Sequence, residues 1–178
     1  MKMRNLLVFF ILTYSLQQNI LAQDLFFIGK KSYSSTGFFS LKVGSGFTSS
    51  GTLDCLVARN GEAGYFVVSR RTTTGSVISE NITIYLEDGT IIDLSDRGKR
   101  DFVDGASINA YTLRASEITK LKNSVINTIR FTMKCQGSPC NNSEDGSFTA
   151  KNMASSSYLG NSKDARANSV KLVTELFK

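Results

Sequence analysis

Ile82-Thr83-Ile84-Tyr85-Leu86-Glu87-Asp88-Gly89-Thr90-Ile91-Ile92-Asp93-Leu94 is the stretch on which the reading of this chain turns. Two runs of β-formers flank a short break. Asp88-Gly89 is the dipeptide that a two-residue type I′ turn requires, because both central residues take φ > 0. The register that follows sets Leu86 opposite Ile91, Tyr85 opposite Ile92 and Ile84 opposite Asp93. One face then carries Ile82, Ile84, Leu86 and Ile91 and the other Tyr85, Ile92 and Leu94, so the hairpin needs cover on both sides.

Downstream, Ser95 to Gly105 is the most charged loop of the chain, and a strand over 107–113 follows it. A short helix at about 115–122 comes next, with Ile118 and Leu121 on one stripe and Leu113 placed to staple against Ile118. The helix leads into a last strand, 125–133. About two turns of helix do not decide whether the two strands run parallel or antiparallel. In the last strand Ile129, Phe131 and Met133 share one face and Thr128, Arg130 and Thr132 the other. Asp93 is the one charge on the apolar face of the hairpin, and a buried charge needs a partner. Arg130 is the partner the pattern offers, as a buried ion pair. The bland alternative for Arg130 is a solvated strand residue.

Upstream, the apolar runs Leu25–Ile28, Phe38–Val43, Leu53–Val57, Tyr65–Ser69 and Val77-Ile78 are separated by turn residues, as in an antiparallel meander. Gly44 to Gly51 imitates a phosphate loop but has Ser49 where the dinucleotide fingerprint needs Gly, and no helix follows. At the far end Asn161-Ser162-Lys163-Asp164 reads as a helix cap. Val170, Val173 and Phe177 then give an amphipathic helix over about 163–177. The fold expected is α+β and β-rich: a mostly antiparallel sheet or sandwich with these two helices.

The pieces Tyr85-Leu86-Glu87-Asp88-Gly89-Thr90-Ile91-Ile92, Asp96-Arg97-Gly98, Ala110-Tyr111-Thr112-Leu113, Ser116-Glu117-Ile118 and Thr128-Ile129-Arg130-Phe131 together resemble small secreted or periplasmic proteins of Bacteroidota with no assigned function. The resemblance covers about a third of the chain, from 82 to 131. It implies a bacterial envelope location and a β-rich domain, and it carries no catalytic residues. Arg114 departs from the pattern, standing where a capping box wants Ser or Thr three residues before Glu117.

The chain opens Met1-Lys2-Met3-Arg4, runs apolar from Leu6 to Leu16 and reaches Ala22-Gln23. A basic start, a short apolar core and a small residue at the break make 1–22 a cleaved signal peptide, leaving 23–178 as a single secreted or periplasmic domain with no transmembrane segment after cleavage. Lys2 and Arg4 are the only charges removed, so the formal charge falls from +6 to +4. That mild charge, and cations scattered at Lys30-Lys31, Arg70-Arg71 and Arg97, Lys99, Arg100, exclude a concentrated nucleic-acid footprint. Of three cysteines, Cys135 and Cys140 bracket a four-residue loop and form the favoured disulfide candidate, while Cys55 in an apolar run reads as a buried thiol. Other pairings of the three stay open. A zinc site lacks its fourth ligand and every histidine.

With no histidine, Ser-His and Cys-His nucleophile pairs are excluded. No catalytic, cofactor-binding or metal residue emerges, and no cofactor is expected. Asp96, Asp101 and Asp104 match no calcium-loop spacing and sit among cations. Asn141 to Gly146 imitates the start of an EF-hand whose twelfth position is Asn152, a poor substitute for a bidentate Glu. Two functions therefore stay open. The leading one is an exported, non-catalytic binding or structural module that engages a protein or glycan of the cell envelope; the alternative is a small carboxylate-dependent hydrolase or lyase. Two facing carboxylates in a cleft would favour the enzyme, and an apolar patch or open strand edge would favour binding.

Overall fold

The computed structural model describes residues 24–45, 48–72, 75–136, 145–153 and 166–178. Residues 1–22, and with them the signal-peptide expectation, lie outside it. In chain order the elements are β1 (Asp24–Ile28), β2 (Lys31–Ser35), β3 (Phe39–Ser45), β4 (Thr48–Asn60), β5 (Ala63–Arg71), β6 (Ser76–Leu86), β7 (Ile91–Leu94), β8 (Arg100–Val103), β9 (Ala106–Leu113), α1 (Ala115–Asn123), β10 (Ile126–Cys135), β11 (Gly146–Lys151) and α2 (Ser169–Leu176). The protein is β-rich with an antiparallel sheet and two helices, as the apolar patterning implies.

The strands form one sheet in the order β7-β6-β10-β11-β3-β4-β5-β9-β8, to which the β1–β2 hairpin attaches through Ser35 and Ala58. Strands 107–113 and 125–133, left undecided above, do not pair with each other. β9 lies between β5 and β8, and β10 between β6 and β11, each pairing antiparallel.

The sheet curls until β6 comes beside β9. Ile92 and Leu94 from one margin then share a single buried core with Tyr111 and Leu113 from near the other. No backbone ladder joins β6 to β9; the join is made by alternate residues on the inward face of β9. The Ile78 N–H donates to Ser107 Oγ (2.8 Å), Asn109 Nδ2 donates to the Ile78 carbonyl (3.4 Å), and Tyr111 Oη donates to the Glu80 carbonyl (3.0 Å). Glu80 lies in a gap of the β6–β10 register and takes φ 65°, a conformation costly for a side chain with a Cβ.

The hairpin turn differs from the expected type I′. The Leu86 N–H donates the closing bond to the Thr90 carbonyl, Gly89 N–H donates to the Leu86 carbonyl, and of the loop residues only Gly89, at φ 84°, is left-handed. This is a three-residue loop, a turn closed by a glycine bulge, and it shifts the register by one residue relative to the two-residue form. Tyr85 now faces Ile91, Ile84 faces Ile92 and Ile82 faces Leu94. A one-residue slip moves a strand's side chains to the opposite face. Ile82, Ile84, Leu86, Ile92 and Leu94 are all buried together, while Ile91 is exposed, so one face takes the cover and the other meets solvent.

The same slip removes the reason for a buried Asp93–Arg130 pair. Asp93 and Arg130 each lie opposite Thr83, on its two flanking strands, and both are exposed on the solvent face. Asp93 Oδ1 instead accepts from Thr83 Oγ1 at 2.7 Å. The ion pairs among the described residues join other partners: Arg100 with Asp96, Lys134 with Glu80 and Arg166 with Glu87.

The two helices add Ile118, Leu121, Val173 and Leu176 to the main core. Arg114 cannot accept, but Glu117 Oε2 takes the Arg114 N–H at 2.6 Å and supplies half of a capping box. The last helix starts later than the apolar stripe suggests, at Ser169, with Asn168 Oδ1 capping the Lys171 N–H; Asn161–Asp164 lie outside the described residues. Asn152 ties this tail to the sheet. Its Nδ2 donates to the Ile126 and Ala167 carbonyls at 2.8 and 2.9 Å, and its Oδ1 accepts from the Ala167 N–H. Among the described residues no helix is long and apolar enough to cross a membrane.

Candidate functional site

Leu25-Phe26-Phe27-Ile28 is apolar on both parities, which a strand covered on one side does not need. In β1, Phe26 and Ile28 turn down, with Tyr33 of β2, onto a second cluster of Leu56, Ala58, Tyr65, Val67 and Ala110 on the outer surface of the sheet. Leu25 and Phe27 turn up and stay 61% and 62% exposed. β1 pairs with β2 on one side only.

β8 arises from the charged loop. Asp104 and Gly105, at φ 51° and 75°, form the two-residue left-handed turn that sets Val103 opposite Ala106, so the type I′ geometry expected at Asp88-Gly89 occurs here. β8 pairs with β9 alone and is exposed throughout, with Phe102 and Val103 about half-exposed. Upstream of it Asp96 anchors the loop, accepting from the Glu80 and Gly98 N–H groups and pairing with Arg100. Burial opposes ionisation of Asp96, but the bonds from Gly98 and Arg100 outweigh it and hold the carboxyl below its usual range.

Between β1 and β8 runs a groove of about 410 Å³, floored by Ile108 and Ala110 and walled by Leu25 to Gly29 on one side and Gly98 to Asp101 with Val103 on the other. One end is basic. Lys99 is fixed there by its carbonyl, which accepts the Ala110 N–H at 2.9 Å. Its Nζ donates to Tyr65 Oη at 3.1 Å and sits 4.3 Å from the centre of that ring. Tyr33 meets Tyr65 edge-on at 5.2 Å between centroids. The bond from Lys99 draws the Tyr65 phenol below its ordinary range, helped by Tyr33 and by the charges of Lys99 and Lys31 against the opposing effect of burial.

A second hollow of about 410 Å³ holds Asp93 and Glu117 with Arg97, Lys99 and Arg114. Both acids are engaged elsewhere, Asp93 by Thr83 and Glu117 by the Arg114 N–H. A general acid needs a carboxyl pushed upward. Among the described residues every carboxyl with a resolved displacement, Glu80, Asp88 and Asp96, is instead drawn downward by hydrogen bonds or a cation. Among the described residues no cluster of three or more Cys, Asp or Glu could hold a metal ion.

Of the site candidates named from the sequence, Asp88, Gly89, Asp93, Arg130 and Cys135 do not line the groove. Asp88 and Gly89 make the hairpin loop, where Asp88 Oδ1 accepts the Thr90 N–H at 2.9 Å. Cys135 ends β10, and Cys140 lies outside the described residues. Cys55 is fully buried and free, and burial pushes its thiol up, as does Asp54 to a lesser degree. Arg70, counted among scattered surface cations, is buried with its guanidinium 4.7 Å from the centre of the Phe148 ring. The signal for the groove was available in the unalternating apolar run of β1. Lys99 gave none, because a cation in a charged loop is the usual solvated residue. Compared with known proteins, the chain matches no family model, no curated protein and no solved structure.

Proposed function

We propose that this protein is an exported binding module of the bacterial envelope that takes an extended segment of a partner polypeptide into the groove between β1 and β8. The observation that carries this reading is the groove itself, an apolar floor with the unpartnered strand β1 along one wall and the exposed Val103 of β8 on the other. The free margin of β1 presents backbone groups that no strand pairs, which an added strand satisfies, and alternate side chains of that strand fill the apolar floor. Leu25, Phe27 and Val103 stand exposed along the walls, and each such side chain gains roughly 1.5–3 kcal/mol when fully covered. A glycan is served less well, because Tyr65 is 8% exposed and Lys99 already occupies its ring.

Export rests on the leader-like start and on the resemblance to secreted proteins of Bacteroidota. Cleavage after Ala22 leaves β1 starting at the second residue of the mature chain. A Cys135–Cys140 bridge belongs to the same reading: Cys55 is the buried free thiol, and Cys135 is not among the free ones.

The test uses purified 23–178 against a library of short peptides with free termini. Peptides with alternating apolar residues are expected to bind, and Phe27→Glu and Val103→Glu to weaken them at least about tenfold. Ile91→Glu, on an exposed strand outside the groove, is expected to change nothing. Absence of any binding peptide, or equal binding by Phe27→Glu and the parent, overturns the proposal.

A further inference from the structure

The second hollow, where the ends of β7 and β9 meet the loop into β8 and the start of α1, differs from the groove in gathering charge that has no partner. Asp96, the one acid between Ser95 and Arg100, does not line it and is taken up by Arg100 and by the Glu80 and Gly98 N–H groups. Arg97 and Lys99, from the same loop, line the hollow instead, and Arg114 lines it from the helix start. Among the described residues none of these three cations has an ion pair, and the guanidinium groups of Arg97 and Arg114 have no hydrogen bond. Lys99 is half-buried, and its bond to Tyr65 uses one of the three donors of its ammonium. Cations gathered in a concavity repel one another and focus their field on an anion that enters it.

We infer that this hollow binds a phosphate or sulfate ester of a sugar, with the oxyanion on Arg97, Arg114 and Lys99 and the sugar hydroxyls on Asp93 and Glu117. Two guanidinium forks and an ammonium from separate segments suit a tetrahedral oxyanion, whose oxygens point apart, better than a flat carboxylate. A hollow of about 410 Å³ is in the range that holds a whole small molecule rather than a bare ion. The two acids fit the same ligand. Each has one oxygen committed, Asp93 Oδ1 to the Thr83 hydroxyl and Glu117 Oε2 to the Arg114 N–H, and each has a second oxygen to accept from a hydroxyl. Beside a bare polyanion they would only repel; beside a sugar they are acceptors. The N-terminus of α1 takes no part, because Glu117 already covers it. None of the large apolar side chains that stand exposed lines the hollow, so it offers a bilayer nothing to bury, and the ester comes on a soluble or glycan-borne sugar.

The test titrates purified 23–178 at low salt with the phosphate and sulfate esters of glucose, galactose and N-acetylglucosamine, with the parent sugars and with inorganic phosphate, by calorimetry and amide NMR. At least one ester is expected to bind saturably, to shift amides in 95–99 and 112–117, and to bind at least about tenfold tighter than its parent sugar or inorganic phosphate. Arg97→Gln and Arg114→Gln, at exposed positions, are each expected to weaken that ester at least about tenfold. Lys30→Gln, an exposed cation outside the hollow, is expected to change nothing. Asp93→Ala removes a like charge and an acceptor together, so it is expected to tighten inorganic phosphate and weaken the ester. No saturable binding by any ester, an ester held equally by the parent and the Arg97→Gln, Arg114→Gln double variant, or a parent sugar that binds as well as its ester overturns the inference. Inorganic phosphate that binds as tightly as every ester overturns the sugar. Phosphatidylcholine vesicles carrying phosphatidic acid are expected to sediment none of the protein, and sedimentation that the double variant loses overturns the assignment to sugars. Phe27→Glu is expected to leave the ester unaffected, so the groove and the hollow stand or fall separately.

Discussion

The Tyr111 hydroxyl donates to the Glu80 carbonyl at 3.0 Å across the line where β9 meets β6, and accepts from Asn109 Nδ2, also at 3.0 Å. Both side chains of β9 are fully buried. Tyr111→Phe removes a donor and an acceptor at once and leaves the Glu80 carbonyl and the Asn109 amide short of partners. A buried polar group stripped of its partner costs about 1–3 kcal/mol. Urea unfolding of Tyr111→Phe is expected to show a loss in that range with the denaturant slope unchanged.

Glu80 keeps its left-handed backbone because its N–H reaches Asp96 and its carbonyl takes Tyr111. Glycine visits that conformation freely and a β-branched residue does so poorly. Glu80→Gly is expected to unfold at a urea midpoint no lower than the parent, and Glu80→Val at one below both.

Asp96 titrates lower in the folded chain than in the unfolded one. The unfolded state therefore binds more protons as pH falls, and stability rises with pH through that interval. The contribution is complete above the ordinary aspartate pKa, about 3.9, and is lost as pH drops toward the lowered folded value. Asp96→Asn is expected to flatten the acid limb of a stability–pH curve recorded below about pH 5 and to leave its slope near neutrality unchanged.

Gly64, opposite Arg59 in the pairing of β4 with β5, lies against the Ala58 carbonyl in a contact that admits no side chain. An added Cβ would lie 2.4 Å from the Ala58 carbonyl oxygen and 3.3 Å from Phe177 Cζ. Backbone cannot give way as a side chain tip can, so Gly64→Ala is expected to cost about 3 kcal/mol. It should also loosen the C-terminal helix, which is read as faster amide exchange over 169–176.

Thiol counting separates the cysteines. Mature protein purified without reductant is expected to show no fast-reacting thiol when native, a single one in denaturant, and all three after reduction. Three thiols in denaturant alone would remove the proposed bridge. A thiol that reacts promptly in the native state would contradict the burial of Cys55.

The hairpin shows what the sequence could and could not convey. Periodicity correctly marks strands around Ile82–Leu86 and Ile91–Leu94, and the helix at Ala115 is legible from Ile118, Leu121 and Leu113. Register was not legible, because Asp-Gly serves two loop lengths: it is a two-residue turn at Asp104-Gly105 and the end of a three-residue loop at Asp88-Gly89. Loop length is settled by which choice buries Ile92 with Ile84, a tertiary matter. β8 and β11 escaped notice for a related reason. Arg100–Val103 and Gly146–Lys151 carry little of the apolar alternation that marks a strand, and their neighbours in the sheet hold them extended. Asn152, set aside as an inadequate calcium ligand, proved to be a buried amide that binds the tail to the sheet.

A peptide ladder cannot be edited by point mutation, because every residue brings the same N–H and C=O. Where β6 and β9 adjoin, the fastening is instead encoded in three codons, those for Ser107, Asn109 and Tyr111. Its tightness can be adjusted one substitution at a time, like a row of buttons, while every true ladder in the molecule is left as it was.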